Sequence, residues 1–177
     1  MNAEKMTQKA MEALEAAHAD AVRKGHPELT TLHLLQALLE QEHGLTGNLL
    51  GKMGKDPGML KQAVSEELGK LPTFNGASGR VAASGGMNQV LVRSDDEAKQ
   101  LGDEYVSVEH LLLAILEEGK SGPAGRLLQE HSIRRKEVMK TLEDVRGGQR
   151  VTNRNPEDTF EALEKYGSDL TLSLIHI

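Results

Sequence analysis

The chain contains one helical pattern twice, and this internal repeat constrains its fold more than any other feature. The segment HLLQALLE at residues 33–40 returns as HLLLAILE at residues 110–117, a shift of 77 positions. A repeated unit of this length predicts duplicated supersecondary structure around a shared core. The same shift aligns cap-type residues, apolar positions and glycines: Thr7 with Ser84, Leu14 with Leu91, Ala21 with Ala98, Gly25 with Gly102, and Thr30 with Ser107.

Each repeat has the spacing of four amphipathic helices. Between Thr7, an N-cap type of residue, and Gly25, a C-cap glycine, apolar residues recur every three or four positions, which predicts the first helix. A second helix is predicted after Thr30 and a third over about residues 45–53. A fourth begins at Pro57, because proline is tolerated best at the first helical position.

The composition favours helices as well. The 177 residues include no Trp, two Tyr and two Phe, so the core must be filled mainly by Leu, Val, Ile, Met and Ala. Residues 72–86 are rich in Gly, Ser and Ala and predict a flexible connector. We therefore predict an all-α fold of two four-helix repeats, about residues 1–75 and 76–148, related by pseudo-twofold symmetry.

Charge and residue usage exclude several classes of partner. The net charge of −6 would repel a phosphate backbone, and the shortage of aromatic residues leaves few platforms for base stacking, so no nucleic acid partner is expected. The sequence has no cysteine, no signal-peptide core and no apolar run long enough to span a membrane. We expect a soluble, cytoplasmic protein that does not bind membranes.

One stretch imitates a nucleotide site. Residues 114–121 read AILEEGKS, the relaxed form of a phosphate-binding loop, which raises the alternative of a small nucleotide hydrolase. Such a loop needs a strand before it and a helix after it, whereas a predicted helix precedes this one. The duplicate segment ALLEQEHG carries no Gly-Lys-Ser. The pattern therefore indicates a helix C-terminus with a lysine favoured by the helix dipole.

The polar residues do not predict a catalytic or metal site. His33 and His110 occupy duplicate positions in the first turns of duplicate helices, which favours hydrogen-bonded structural roles over metal binding. No nucleophile accompanies the carboxylates, so no catalytic residue is assigned. Most of these carboxylates are expected on solvated helix faces: Asp95, Asp96, Glu97, Asp103, Glu104, Glu109, Glu117 and Glu118.

These motifs together resemble the Clp N-terminal domain. The resemblance is carried by the duplicated T/S-x-x-H-L-L-x-A-φ-L-E helices, by GDEYVSVEH at residues 102–110, and by the Gly-rich connector. Residues 150–171, RVTNRNPEDTFEALEKYGSDLT, resemble the linker of ClpB-type disaggregases. The resemblance implies an N-terminal domain over residues 1–148 and a linker over residues 149–171. The last six residues, LSLIHI at 172–177, depart from the family and are expected to be a non-native tail.

The resemblance implies a substrate-recognition module rather than an enzyme. It would bind unfolded or aggregated polypeptides and deliver them to the AAA+ modules of its own chain, which would hold ATP and Mg²⁺, so this fragment needs no cofactor. The isolated domain would be monomeric and the full-length protein hexameric. An alternative is an adaptor-docking domain of a protease-coupled Clp unfoldase. The polar residues 147–156 would act as a tether that keeps a client near the motor.

The resemblance also implies the binding residues. Thr7, Asp103 and Glu109 match polar positions of the family near the face between the repeats, where they would bind substrate from the surface. A helix cap for Thr7 and dipole-favoured acids for the other two are compatible with such a role. An apolar groove between the repeats would be lined by Val92, Leu101, Tyr105 and Val106, although each of these positions also suits the core.

Overall fold

The computed structural model describes residues 3–74 and 80–156, and the regular secondary structure of this part of the chain is almost entirely helical. The only strands in it, β1 (Glu28–Leu29) and β2 (Ala82–Ala83), are two residues long and parallel. The predicted all-α class is confirmed. The helices of the first repeat are α1 Gln8–Arg23, α2 Thr31–Glu40, α3 Leu45–Lys52 and α4 Pro57–Gly69; those of the second are α5 Gly85–Gln100, α6 Val108–Glu118, α7 Pro123–Glu130 and α8 Arg135–Arg146.

Several of the caps that start these helices are those the sequence indicates. The hydroxyl of Thr7 accepts a hydrogen bond from the amide of Ala10, and Ser84 caps α5 through the amide of Met87 in the same way. Pro57 occupies the first turn of α4 behind Asp56, whose carboxylate accepts from Gly58. Each cap satisfies an amide that would otherwise have no partner in the first turn.

Helices α2 and α6 form the centre of the molecule. Residues 31–39 of α2 are all buried, and so are residues 108–115 of α6. Helices that are buried all round must be surrounded by other elements. Here the surrounding elements come from both repeats: α1 packs on α6 as α5 packs on α2, and α3 packs on α6 and α8 as α7 packs on α2 and α4. This exchange of equivalent partners confirms the pseudo-twofold arrangement.

The predicted connector over residues 72–86 is shorter than expected. Ala82 and Ala83 pair with Glu28 and Leu29 of the first repeat, and the two glycines at positions 85 and 86 lie in the first turn of α5. The Gly-rich composition predicts flexibility, but backbone pairing and the Ser84 cap order the last residues of this segment. Residues 75–79 lie outside the described part of the chain.

Candidate functional site

The two repeats are joined by backbone hydrogen bonds at equivalent places. Thr7 donates its amide to the carbonyl of Val106 at 2.9 Å, and Val106 donates to the carbonyl of Lys5 at 2.7 Å. The 77-residue shift relates the bond between Thr7 and Val106 to an equivalent one, in which the amide of Ser84 donates to the carbonyl of Leu29, also at 2.9 Å. The start of α1 is therefore held on the turn between α5 and α6, and Thr7 is completely buried at this junction.

Asp103 is the centre of a buried polar network beside this junction. Its Oδ2 accepts hydrogen bonds from His110 Nε2 at 2.7 Å and from Arg146 Nη2 at 2.8 Å. Its Oδ1 accepts from the amide of Val151 at 2.9 Å. Because both carboxylate oxygens are engaged, Asp103 connects α6, the end of α8 and the segment that follows α8.

Glu109 shares the guanidinium with Asp103. Its Oε1 accepts from Arg146 Nη2 at 2.6 Å, and its Oε2 accepts from the hydroxyl of Ser107 at 2.7 Å. The side chains of both carboxylates are fully buried, and that of Arg146 is 5% exposed. One buried cation is thus surrounded by two buried anions, an arrangement that requires every partner to be in place.

The hydrogen bonds fix the tautomer of His110. The amide of Ser107 donates to Nδ1 of His110 at 2.7 Å, so Nδ1 is an acceptor and the proton of the neutral ring lies on Nε2. Nε2 then donates to Asp103. His110 takes the place that Glu or Gln usually has in a capping box, three residues after the N-cap. The prediction of a hydrogen-bonded structural role for this histidine is confirmed.

The network determines the ionisation of its members. Burial by itself would raise the pKa of the Asp103 carboxyl, but the hydrogen bonds from His110, Val151 and Arg146 outweigh burial and hold that pKa below its usual value. Burial likewise opposes the charge on Arg146, while Glu109 and Asp103 raise the pKa of its guanidinium. Asp103 and Arg146 are therefore charged in the interior, which suits a structural role.

The first repeat has a different pair at the same positions. His26 stands 77 residues before Asp103, and its Nδ1 lies 2.8 Å from Nε2 of His33, the counterpart of His110. The amide of Thr30 donates to Nδ1 of His33, so His33 donates its Nε2 proton to His26. The pKa of His33 is lowered from 6.5 to about 4, mainly by burial and secondly by repulsion from the protonated form of His26. Lys24 also lowers this pKa, while Asp20 raises it.

This histidine pair predicts a loss of stability in mild acid. Unfolded His33 takes up a proton near pH 6.5, whereas the folded residue resists protonation down to about pH 4. The contribution of His33 to the unfolding free energy is therefore complete above pH 6.5, and it is lost as the pH falls from 6.5 to about 4. His33→Gln retains the capping box but not the titration. We expect the wild-type chain to lose about 2 kcal/mol more unfolding free energy than His33→Gln between pH 7 and pH 4.5. Urea unfolding at both pH values measures this difference, and parallel losses in the two proteins would refute the assignment.

The structure corrects the expected surface positions of three predicted binding residues. Thr7, Asp103 and Glu109 are near one another, but all three are buried rather than exposed. Arg146, which binds both buried carboxylates, is not among the residues predicted from the sequence. A signal for its burial was available, since Arg146 follows the core residue Leu142 by four positions and so lies on the same face of α8. Whether the three residues contribute to binding stays a prediction.

Other carboxylates expected on solvated faces are also buried. Glu97 is 6% exposed and receives two hydrogen bonds, of 2.7 and 2.6 Å, from Arg135. Glu118 is 7% exposed, and its Oε1 accepts from the hydroxyl of Thr31 at 3.1 Å and from the amide of Gly125 at 3.2 Å. Glu118 therefore ties the second repeat to the first turn of α2.

The apolar candidates are distributed on both sides of the turn at Gly102. Leu101 is half-buried and lines a cavity of about 400 Å³ together with residues of α8 such as Met139. Tyr105, also half-buried, lines a second cavity of about 760 Å³ with acidic and basic neighbours and with Val106, which is itself buried. Val92 is 61% exposed on α5 and is not among the lining residues of either cavity, so the structure does not bring it to this site.

The segment after α8 is bound to the domain rather than free. We call residues 149–156 the strap. The guanidinium of Arg150 donates to the carbonyl of Leu101, and the carbonyl of Val151 accepts from the amide of Glu104 at 2.8 Å. The carbonyl of Arg154 accepts from the amide of Gln8, also at 2.8 Å, and the side chain of Val151 is completely buried.

The prediction of a solvated tether over residues 147–156 is wrong for the strap. Residues 157–171 and the tail at 172–177 lie outside the described part of the chain.

The Gly-Lys-Ser sequence lies at the end of a helix, as predicted. Residues Gly119–Ser121 form one 3-10 turn directly after α6, and the hydroxyl of Ser121 donates back to the carbonyl of Glu118. Within residues 3–74 and 80–156, no group of three His, Asp or Glu residues is placed to hold a metal ion. None of the helices in this same part has the length and hydrophobicity needed to cross a bilayer.

The fold and the junction define a duplicated helical repeat domain whose two halves share one core. Residues 5–131 match the family described as the Clp repeat (R) N-terminal domain. The chain belongs to this family. It is 49% identical over 173 residues to the chaperone protein ClpB of Nitratidesulfovibrio vulgaris, a match that covers 96% of this chain and 20% of that protein. The resemblance stated from the sequence motifs is confirmed.

Solved structures share the fold. The Hsp104 N-terminal domain from Candida albicans matches with a TM-score of 0.75 and 24% identity, covering 85% of this chain and 97% of that one. A ClpV N-domain solved in complex with a VipB peptide matches with a TM-score of 0.62 and 21% identity, covering 82% and 89% of the two chains. The chain spans about a fifth of the length of the ClpB relatives it matches.

Proposed function

We propose that this chain is the substrate-recognition N-terminal domain of an ATP-dependent protein disaggregase, which binds exposed segments of unfolded or aggregated polypeptides. The observation that carries the proposal is a pair of cavities that are both lined in part by the turn at residues 101–106. They combine apolar side chains, Leu101 and Tyr105 among them, with charged ones. Concave sites that combine apolar surface with a few polar or charged groups are common binding sites. The similarity to ClpB chaperones supports the same function.

The mechanism we propose is an increase in effective concentration. Weak binding of a client to a domain tethered to the motor holds that client near the motor's entrance without tight affinity. The AAA+ modules of the same polypeptide would bind ATP and Mg²⁺ and form the hexamer, and the isolated domain would be a monomer in the cytoplasm. Thr7 and Glu109, being buried, would act by holding the junction in shape. Asp103 would act both in this way and through its bond to the Val151 amide.

Titration of the 15N-labelled chain with a permanently unfolded protein tests this proposal by NMR. We expect saturable shifts at the residues that line the two cavities. Tyr105→Ala should weaken binding by roughly fivefold or more, because truncating an aromatic anchor commonly costs about 1 kcal/mol or more. Val92→Ala is the matched control, since Val92 is exposed and lines neither cavity.

Two results would contradict client binding at the two cavities. The first is the absence of saturable shifts at high client concentration. The second is equal binding by the Tyr105 and Val92 variants, which would place the client elsewhere. Binding to a folded adaptor but not to unfolded protein would instead favour the adaptor-docking alternative.

A further inference from the structure

The strap is bound to the domain in the manner of an extended peptide. Around Val151 the backbone makes one hydrogen bond as donor, to Asp103 Oδ1, and one as acceptor, from the amide of Glu104. The Val151 side chain is fully buried, while its neighbours Arg150 and Thr152 are exposed. Val151 and Pro156 are the buried residues of the strap, and a buried aliphatic side chain in a backbone-paired segment is typical of the way proteins recognise extended chains.

This burial is particular to the second repeat. Phe74 stands 77 residues before Val151 and is its equivalent in the first repeat. There the chain after α4 returns to the turn at Gly25, and the amide of Phe74 donates a hydrogen bond to the carbonyl of Gly25 at 2.8 Å. Phe74 is nevertheless 61% exposed, whereas Val151 is inaccessible. The duplicated fold therefore does not require a buried residue at this position, and the burial of Val151 is a separate feature of the second repeat.

The strap is also next to both cavities. Arg150 and Gln149 line the cavity of about 400 Å³, and Asp103 and Glu104, to which Val151 is hydrogen-bonded, line the cavity of about 760 Å³. A polypeptide that bound at Asp103 and Glu104 in the second cavity would meet groups already used by the strap. Those groups are the Asp103 carboxylate, the Glu104 amide and the apolar pocket.

We propose that the strap is an intramolecular competitor of the client, and that the site accepts extended segments with a β-branched aliphatic residue in the place of Val151. This inference rests on the proposed function and adds the client class and its regulation. Client binding releases the strap, and strap binding lowers the apparent client affinity by the fraction of molecules whose site is free. Release of the eight strap residues also lengthens the connection to the following part of the chain by up to roughly 27 Å.

Two substitutions of equal charge in the whole chain test this competition. Val151→Asp places a carboxylate in the apolar pocket beside Asp103 and should release the strap. Thr152→Asp adds the same charge at an exposed neighbour and serves as the control. In a fluorescence anisotropy titration with labelled, reduced and carboxymethylated lactalbumin, we expect Val151→Asp to bind on the order of tenfold more tightly than wild type. Thr152→Asp should remain within about twofold.

Amide hydrogen exchange in the wild-type chain gives a second measurement that needs no substitution. Saturating lactalbumin should accelerate exchange of the Val151 amide, which loses Asp103 as its acceptor. The Glu104 amide should stay protected, because a client carbonyl replaces that of Val151. Retained protection of Val151 with client bound, or unchanged or weaker binding by Val151→Asp, would overturn the competition while leaving the proposed function intact. Failure of the wild type and of both variants to bind lactalbumin would overturn the proposed function, and this inference with it.

Discussion

Replacement of Arg146 by alanine is expected to destabilise the domain by about 3–5 kcal/mol, because it leaves two carboxylates buried without their cation. Asp103 and Glu109 have fully buried side chains and both accept hydrogen bonds from the same Nη2 atom. Without the guanidinium they must take up protons or draw in water, and either response disturbs the junction between the repeats. We expect the midpoint of thermal unfolding to fall by roughly 10 °C.

Lys140→Ala on the same helix is the control for this prediction. Lys140 is exposed, so its loss should change the unfolding free energy by no more than about 0.5 kcal/mol. Urea unfolding followed by circular dichroism measures both variants. A further variant, Arg146→Met with Asp103→Asn and Glu109→Gln, removes all three charges and should recover part of the loss. Equal stability of Arg146→Ala and Lys140→Ala would show that the network does not hold the fold.

Leu35→Ala and Leu112→Ala are each expected to cost about 2–5 kcal/mol and to weaken both repeats together. The two leucines are 77 positions apart, on α2 and α6, and neither is exposed at all. Because α2 and α6 pack on each other and on helices of both repeats, a cavity at either position removes contacts from one common core. A single cooperative unfolding transition should therefore remain in both variants.

Calorimetry and urea unfolding distinguish this shared core from two independent ones. Val92→Ala on α5 is the control, since Val92 is 61% exposed and its truncation should cost no more than about 0.5 kcal/mol. Two separated transitions in Leu35→Ala, with only the first repeat weakened, would contradict the shared core. So would a loss no larger than that of Val92→Ala.

The two repeats show how duplicated positions diverge while their geometry is retained. His33 and His110 both close a capping box and both extend Nε2 towards the residue seven positions earlier. In the first repeat that residue is His26, which gives a neutral pair; in the second it is Asp103, which adds Arg146 and the strap. The charged pair of Asp103 and His110 connects the domain to the strap. The neutral pair of His26 and His33 makes the first repeat sensitive to acid.

The sequence alone determined the class of fold, the duplication and most helix boundaries. These features depend on local interactions: the periodicity of apolar residues, the caps at Thr7, Ser84 and Asp56, and proline at the first turn of α4. Interactions of this kind join residues a few positions apart, so their pattern can be found in the order of the amino acids.

The burial and the contacts of the polar residues depend on segments that are far apart in the chain. Asp103 lies 43 positions from Arg146 and 48 from the Val151 amide, and the Thr31–Glu118 bond spans 87 positions. A carboxylate on a predicted helix or turn has the same letter code whether it faces water or a buried guanidinium. The strap shows the same limit. Its polar composition suits a solvated tether, but the buried residues Val151 and Pro156 and a few backbone hydrogen bonds hold it on the domain. Packing between distant segments, which sets the cost of desolvation and the partner that offsets it, decided these contacts.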